Sequence, residues 1–100
     1  MMRKLRKIKK IKVAYQILFS KNFKKSSGNL ESNEKKLFYK KLKLFLDDHQ
    51  HPSLRSKKIR GSNILFESSI NMSIRVIWAY KGNDLIVMLD IGHHDVLKKY

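Results

Sequence analysis

Apolar and polar residues alternate through the second half of the chain with the period of two that a β-strand imposes. Three runs carry the pattern: 65–70, 74–80 and 85–91. Asn71-Met72-Ser73 and Lys81-Gly82-Asn83-Asp84 separate them, and both are built of turn-forming residues. The pattern predicts two hairpins in succession and assigns their faces. Ile64, Phe66, Ile70, Ile74, Val76, Trp78, Tyr80, Leu85, Val87, Leu89 and Ile91 share one face, which is apolar enough to be a core. Glu67, Ser69, Arg75 and Asp90 lie on the other, among Leu65, Ile77, Ala79, Ile86 and Met88. If the turns close as written, Tyr80 pairs with Leu85, Arg75 lies opposite Asp90, and Ser69 lies opposite Arg75.

The first half changes period. Val13 to Phe19 alternates as a strand, with Tyr15, Ile17 and Phe19 on one side. Ser20 suits the N-cap of a short helix through Lys25, which Ser26-Ser27-Gly28-Asn29 breaks. Ser32 or Asn33 can cap a second helix, where Glu34 complements the helix dipole. Leu37, Phe38, Leu42, Phe45 and Leu46 form its apolar stripe, with Lys35, Lys36, Lys40 and Lys43 opposite. Pro52 ends any helix before it. A loop holding His49 and His51 follows, then the basic run Arg55-Ser56-Lys57-Lys58-Ile59-Arg60, closed by Gly61. The expected fold is therefore α+β: a four-stranded antiparallel sheet in the order β-α-α-β-β-β, with two helices on one face. Residues 1–12 read as a basic tail and residues 13–100 as one domain.

Charge adds a partner class. The chain has 23 Lys and Arg against 8 Asp and Glu, a net of +15 over 100 residues. Such a surface attracts polyanions, so nucleic acid is the first partner to consider and an acidic protein the second. There is no cysteine, which excludes disulfides and thiolate metal sites. No apolar run approaches the roughly 20 residues of a membrane span, and the expected location is the cytoplasm.

Few residues suit catalysis. A phosphate-binding glycine loop and a glycine-flanked serine elbow are both missing from the sequence. His49 and His51 read as solvated loop residues, since two nitrogen ligands alone make a weak metal site. The turn Gly92-His93-His94-Asp95 has two readings. One histidine faces the polar side of the sheet, with Asp95 fixing its tautomer; or the turn merely caps a last helix through Asp95. Arg75 likewise suits either a phosphate fork or an ion pair with Asp90 or Glu67. Lys57, Lys58 and Arg60 are strand-edge residues that can also line a phosphate track.

The order of elements resembles the RelE/ParE superfamily of bacterial toxins from toxin–antitoxin systems, and the local motifs are most similar to its YafQ-like members. The residues that carry the resemblance are Ile17-Leu18-Phe19-Ser20-Lys21-Asn22-Phe23, Leu54-Arg55-Ser56-Lys57-Lys58-Ile59-Arg60-Gly61, Phe66-Glu67-Ser68-Ser69-Ile70, Ile74-Arg75-Val76-Ile77 and Asp90-Ile91-Gly92-His93-His94-Asp95-Val96-Leu97. The resemblance covers roughly residues 13–100.

It implies a ribosome-dependent endoribonuclease that cleaves mRNA through 2′-hydroxyl attack, needs no metal or other cofactor, and is restrained by an acidic antitoxin. His94 then falls at a YafQ-like catalytic histidine and Arg75 at the hairpin arginine that contacts the scissile phosphate. Glu67 becomes a second acid–base candidate. Lys57, Lys58 and Arg60 become RNA contacts, and Asp95, Asp90 and Ser69 supporting residues. Two positions depart from the pattern: Leu97 where RelE-like toxins have a stacking tyrosine, and Ser69 where YafQ-like ones have a histidine. The alternative is a ParE-like, non-enzymatic inhibitor of DNA gyrase.

Overall fold

The structure is a computed structural model that describes residues 15–100. The proposed basic tail, residues 1–12, lies outside the described residues. Chain order is β1 (Gln16–Phe19), α1 (Lys21–Gly28), α2 (Ser32–Asp47), a 3-10 turn (Pro52–Leu54), β2 (Lys57–Lys58), β3 (Phe66–Ser69), β4 (Ile74–Lys81), β5 (Leu85–His93) and a C-terminal 3-10 helix (His94–Lys99).

The α+β class holds, but the sheet has five strands rather than four and is mixed rather than antiparallel. Its order is β1-β5-β4-β3-β2. β1 runs parallel to β5, with Gln16 beside Leu85 and Phe19 beside Met88. The additional strand, β2, has two exposed lysines and no apolar alternation to announce it. Short and charged, it suits a sheet edge.

Both helices start where the chain supplies an acceptor. Ser20 Oγ accepts from the Phe23 amide at 3.0 Å. Glu34 Oε1 accepts from the Glu31 amide at 2.9 Å, so the cap is Glu31, one residue before Ser32 and two before Asn33. Phe38 and Phe45 are buried, with Leu37 and Leu42 packed beside them, whereas Leu46 of the expected stripe is 49% exposed. Together with Phe23 and Leu30 they meet Ile74, Val76, Trp78, Ile86, Met88 and Ile91 of the sheet.

The turn at 71–73 and the pairing of Ser69 with Arg75 are as expected. The next hairpin is not. Lys81 pairs with Leu85 and Tyr80 with Ile86, so the loop is one residue shorter than predicted, with Gly82 at φ +68°. A one-residue shift inverts every side chain of a strand. Ile86 and Met88 therefore face the helices, and Leu89 faces away from them. A bulge then restores the phase: Trp78 pairs with Met88 but Ile77 with Asp90. Arg75 consequently lies opposite Gly92, not Asp90.

The face away from the helices has a small core of its own. Ile59, Ile77 and Val96 are buried there, with Leu65, Leu89 and Leu97 against them. This second cluster seats the C-terminal 3-10 helix on the sheet.

Candidate active site

Beside that second cluster is an open cleft of about 160 Å³ lined by Arg55, Lys57, Glu67, Ser69, Arg75 and His94. Strand register explains the grouping. Lys57 pairs with Glu67 and Ser69 with Arg75, and residues two apart on β3 share a face. Gly92, opposite Arg75, leaves room for the 3-10 helix to start: a Cβ there would stand 3.3 Å from Val96 Cβ. His94 is the first residue of that helix.

Arg75 is anchored. Its Nη1 donates to the carbonyls of Asn71 at 2.7 Å and Ile74 at 3.1 Å, with Met72 at 3.3 Å. Asn71 Oδ1 in turn accepts from the amides of Ser73 and Ile74, which fixes the hairpin turn. Among the described residues, Nη2 and Nε of Arg75 have no partner and remain available to a ligand. Glu67 is 9% exposed. Among the described residues, the only ion pair within 4 Å is His93 with Glu34, outside the cleft, so its three fixed cations are not neutralised by contact with Glu67. A cleft with free cations, a carboxylate and an imidazole can bind a phosphate and move protons beside it.

Five of the residues singled out from sequence thus share one cleft: His94, Arg75, Glu67, Lys57 and Ser69. Lys58 pairs with Phe66 and projects to the other face of β2. Arg60 is exposed in the following turn, and neither residue lines the cleft. Asp95 lines a separate depression with Ser26, Asn29, His93 and Lys99. Asp90 is buried and lies opposite Ile77 rather than Arg75, against the predicted pairing. It accepts from Tyr100 Oη at 2.7 Å and from the Ile91 amide at 2.9 Å. Burial pushes the Asp90 pKa up, but hydrogen bonds from Ser26, Tyr100, Ile91 and Asn22 outweigh burial and hold it below the ordinary carboxylate range. Burial and the Asp90 carboxylate push Tyr100 up to about 12. The pair ties the end of the His94 helix to the sheet.

The two turn histidines diverge. His93 Nε2 meets Glu34 Oε2 at 2.8 Å, fastening β5 to α2. His94 lines the cleft. Among the loop histidines, His49 is not the solvated residue expected. Its Nε2 is 2.7 Å from Tyr80 Oη, and its ring packs against Tyr15 and Trp78. Burial lowers its pKa, partly offset by Asp48. His51 Nδ1 accepts from the Ser53 amide. Among the described residues there is no group of three or more His, Cys, Asp or Glu placed to hold a metal.

The cleft also holds Arg55, which no pattern in the sequence marks as a site residue. It is the one described non-glycine residue with positive φ, at φ +50° and ψ +45°. That left-handed conformation costs roughly 1–2 kcal/mol for a residue with a Cβ. Both neighbours hold it there. Leu54 is fully buried, and Ser56 joins a hydrogen-bond chain from Trp78 Nε1 through Ser68 Oγ at 2.8 Å and Ser56 Oγ at 2.6 Å to the His49 carbonyl at 3.1 Å.

No protein-family model matches the sequence, and no curated protein matches it either. Solved structures share the fold. Over 85% of this chain and 98% of the other, it superposes on a chain of the E. coli DinJ–YafQ toxin–antitoxin complex with TM-score 0.69 and 13% identity. The RelB–RelE antitoxin–toxin complex of Methanococcus jannaschii gives TM-score 0.67 and 19% identity, over 83% of this chain and 96% of that one. The archaeal RelE–RelB complex of Pyrococcus horikoshii gives 0.65 and 15%, over 80% and 94%. The chain has the fold of the YafQ and RelE toxins.

Proposed function

We propose that this protein is the toxin of a type II toxin–antitoxin pair and acts as a ribosome-dependent endoribonuclease on mRNA. The observation that carries the reading is the convergence of His94, Glu67, Arg75 and Lys57 on one cleft. The reaction is attack of a ribose 2′-oxygen on the adjacent phosphorus. The P–O5′ bond breaks, leaving a 2′,3′-cyclic phosphate and a 5′-hydroxyl. One group takes the 2′-hydroxyl proton and another gives a proton to the departing 5′-oxygen. His94 and Glu67 are the pair for these two transfers. The free edge of Arg75, already anchored by backbone carbonyls, stabilises charge developing on the phosphate without reorganising. Lys57 adds a second cation. Ser69 is a hydrogen-bonding group on the floor of the cleft.

The partner that restrains the enzyme is an acidic antitoxin. The net charge of +15 supports this, as do solved toxin–antitoxin complexes of the same fold. Mapping mRNA 5′ ends in a translating extract, with and without the protein, tests the activity. New ends confined to translated mRNA are expected. No new ends, together with inhibited DNA supercoiling, would replace the nuclease by a gyrase inhibitor.

A further inference from the structure

We propose that Arg55 is a substrate-binding residue, the second guanidinium on the phosphate that Arg75 engages; this rests on the ribonuclease reading above. Register places it. β2 and β3 are antiparallel, with Lys57 beside Glu67, and the hydrogen bond between Ser56 Oγ and Ser68 Oγ continues that register by one residue. Arg55 and Ser69 are the next residues along the two segments and both line the cleft, and Arg75 pairs with Ser69 on its other side. Two arginines therefore flank one serine at the same end of the cleft, and all three line it. Among the described residues, the Arg55 side chain has no hydrogen-bond or ion-pair partner, so its planar fork is free for an anion.

The two arginines are held differently, and the difference assigns their work. The Arg75 guanidinium itself is pinned by carbonyls, which preorganises it for charge that develops in the transition state. At Arg55 the backbone amide donates to the Pro52 carbonyl at 3.1 Å, whereas among the described residues nothing holds the guanidinium. A loose cation follows the phosphate equally in ground and transition states, so its contribution is to binding rather than to turnover.

Arg55→Gly and Arg55→Lys test this. Glycine accepts a φ of +50° at no steric cost, so the fold should survive. In cleavage of ribosome-bound mRNA, Arg55→Gly should raise the half-saturating concentration roughly tenfold, the effect of losing one charge-assisted contact. Turnover at saturation should stay within about threefold. Binding is measured separately by fluorescence anisotropy on a non-cleavable 2′-deoxy oligonucleotide across a salt series. There Arg55→Gly should reduce the slope of log affinity against log salt by ~0.7, and Arg55→Lys should restore it. Unchanged half-saturation and unchanged slope in a folded Arg55→Gly protein would overturn the proposal and leave the nuclease standing. A wild-type protein that binds the oligonucleotide through Arg55 but cleaves nothing would overturn the nuclease reading alone.

Discussion

His94 is exposed, begins a short helix and belongs to neither apolar cluster. Replacing it therefore separates chemistry from stability. His94→Ala should lower single-turnover cleavage of ribosome-bound mRNA by ~10²–10⁴, the usual range for one general acid or base. Its thermal midpoint should be unchanged. His93→Ala removes only a half-exposed contact with Glu34 and should leave cleavage intact. Full activity in folded His94→Ala would remove the imidazole from the mechanism. Tyr100 gives a second residue-scale expectation, read in pH. Its folded pKa, about 12, lies above the ordinary value near 10, so the folded state keeps a proton that the unfolded chain has lost. That contribution is complete below about pH 10 and disappears as pH rises to about 12. Urea unfolding should show wild type losing more stability than Tyr100→Phe over that interval. Equal losses would mean that neither burial nor the Asp90 carboxylate perturbs the phenol.

The end of β5 and the helix that follows act as one unit, because Val96 packs over the bare Cα of Gly92. A methyl group there must push Val96 by a few tenths of an ångström, and His94 rides on the same helix. Gly92→Ala should therefore lower turnover about tenfold through misplacement, with little change in half-saturation. Steady-state cleavage by the purified variant checks this, and an unchanged turnover would show that the helix tolerates the shift. Elements were legible in the sequence where one face is wet and one dry. The turn at Asn71, the Ser69–Arg75 pairing and the apolar side of β4 all follow from alternation. β5 was not legible in the same way, because both of its faces are apolar: Ile86 and Met88 enter one core, and Leu89 packs against the other. A strand buried on both faces reads as a continuous hydrophobic run without phase. The shorter loop and the later bulge add up to a two-residue shift, so Asp90 and Ile91 return to their expected faces while the residues from Leu85 to Leu89 are inverted. β2 escaped because two exposed lysines have no apolar period. Arg55 escaped because a left-handed position normally announces itself as glycine.

Across the molecule, charge and shape act together. Lys57 and the two cleft arginines concentrate positive potential where Glu67 provides the only opposing carboxylate among the lining residues. The other basic residues add to the attraction of a chain whose net charge is +15. On the proposed ribonuclease reading, a polyanion would be drawn to the whole protein but bound in detail at one cleft. These contributions separate in salt. Each phosphate contact on a single strand releases counterions, which steepens the fall of log affinity with log salt by ~0.7. Lys57→Ala should weaken binding to single-stranded RNA and flatten that slope by about one contact. Lys58→Ala changes the net charge equally but lies on the other face of the same two-residue strand. It should leave the slope nearly unchanged if contacts in the cleft, rather than total charge, determine binding. Salt titrations of the two variants on one oligonucleotide decide the matter. Equal slopes for both would assign RNA binding to diffuse surface charge, and catalysis would then depend on the ribosome to present the message to Arg75 and His94.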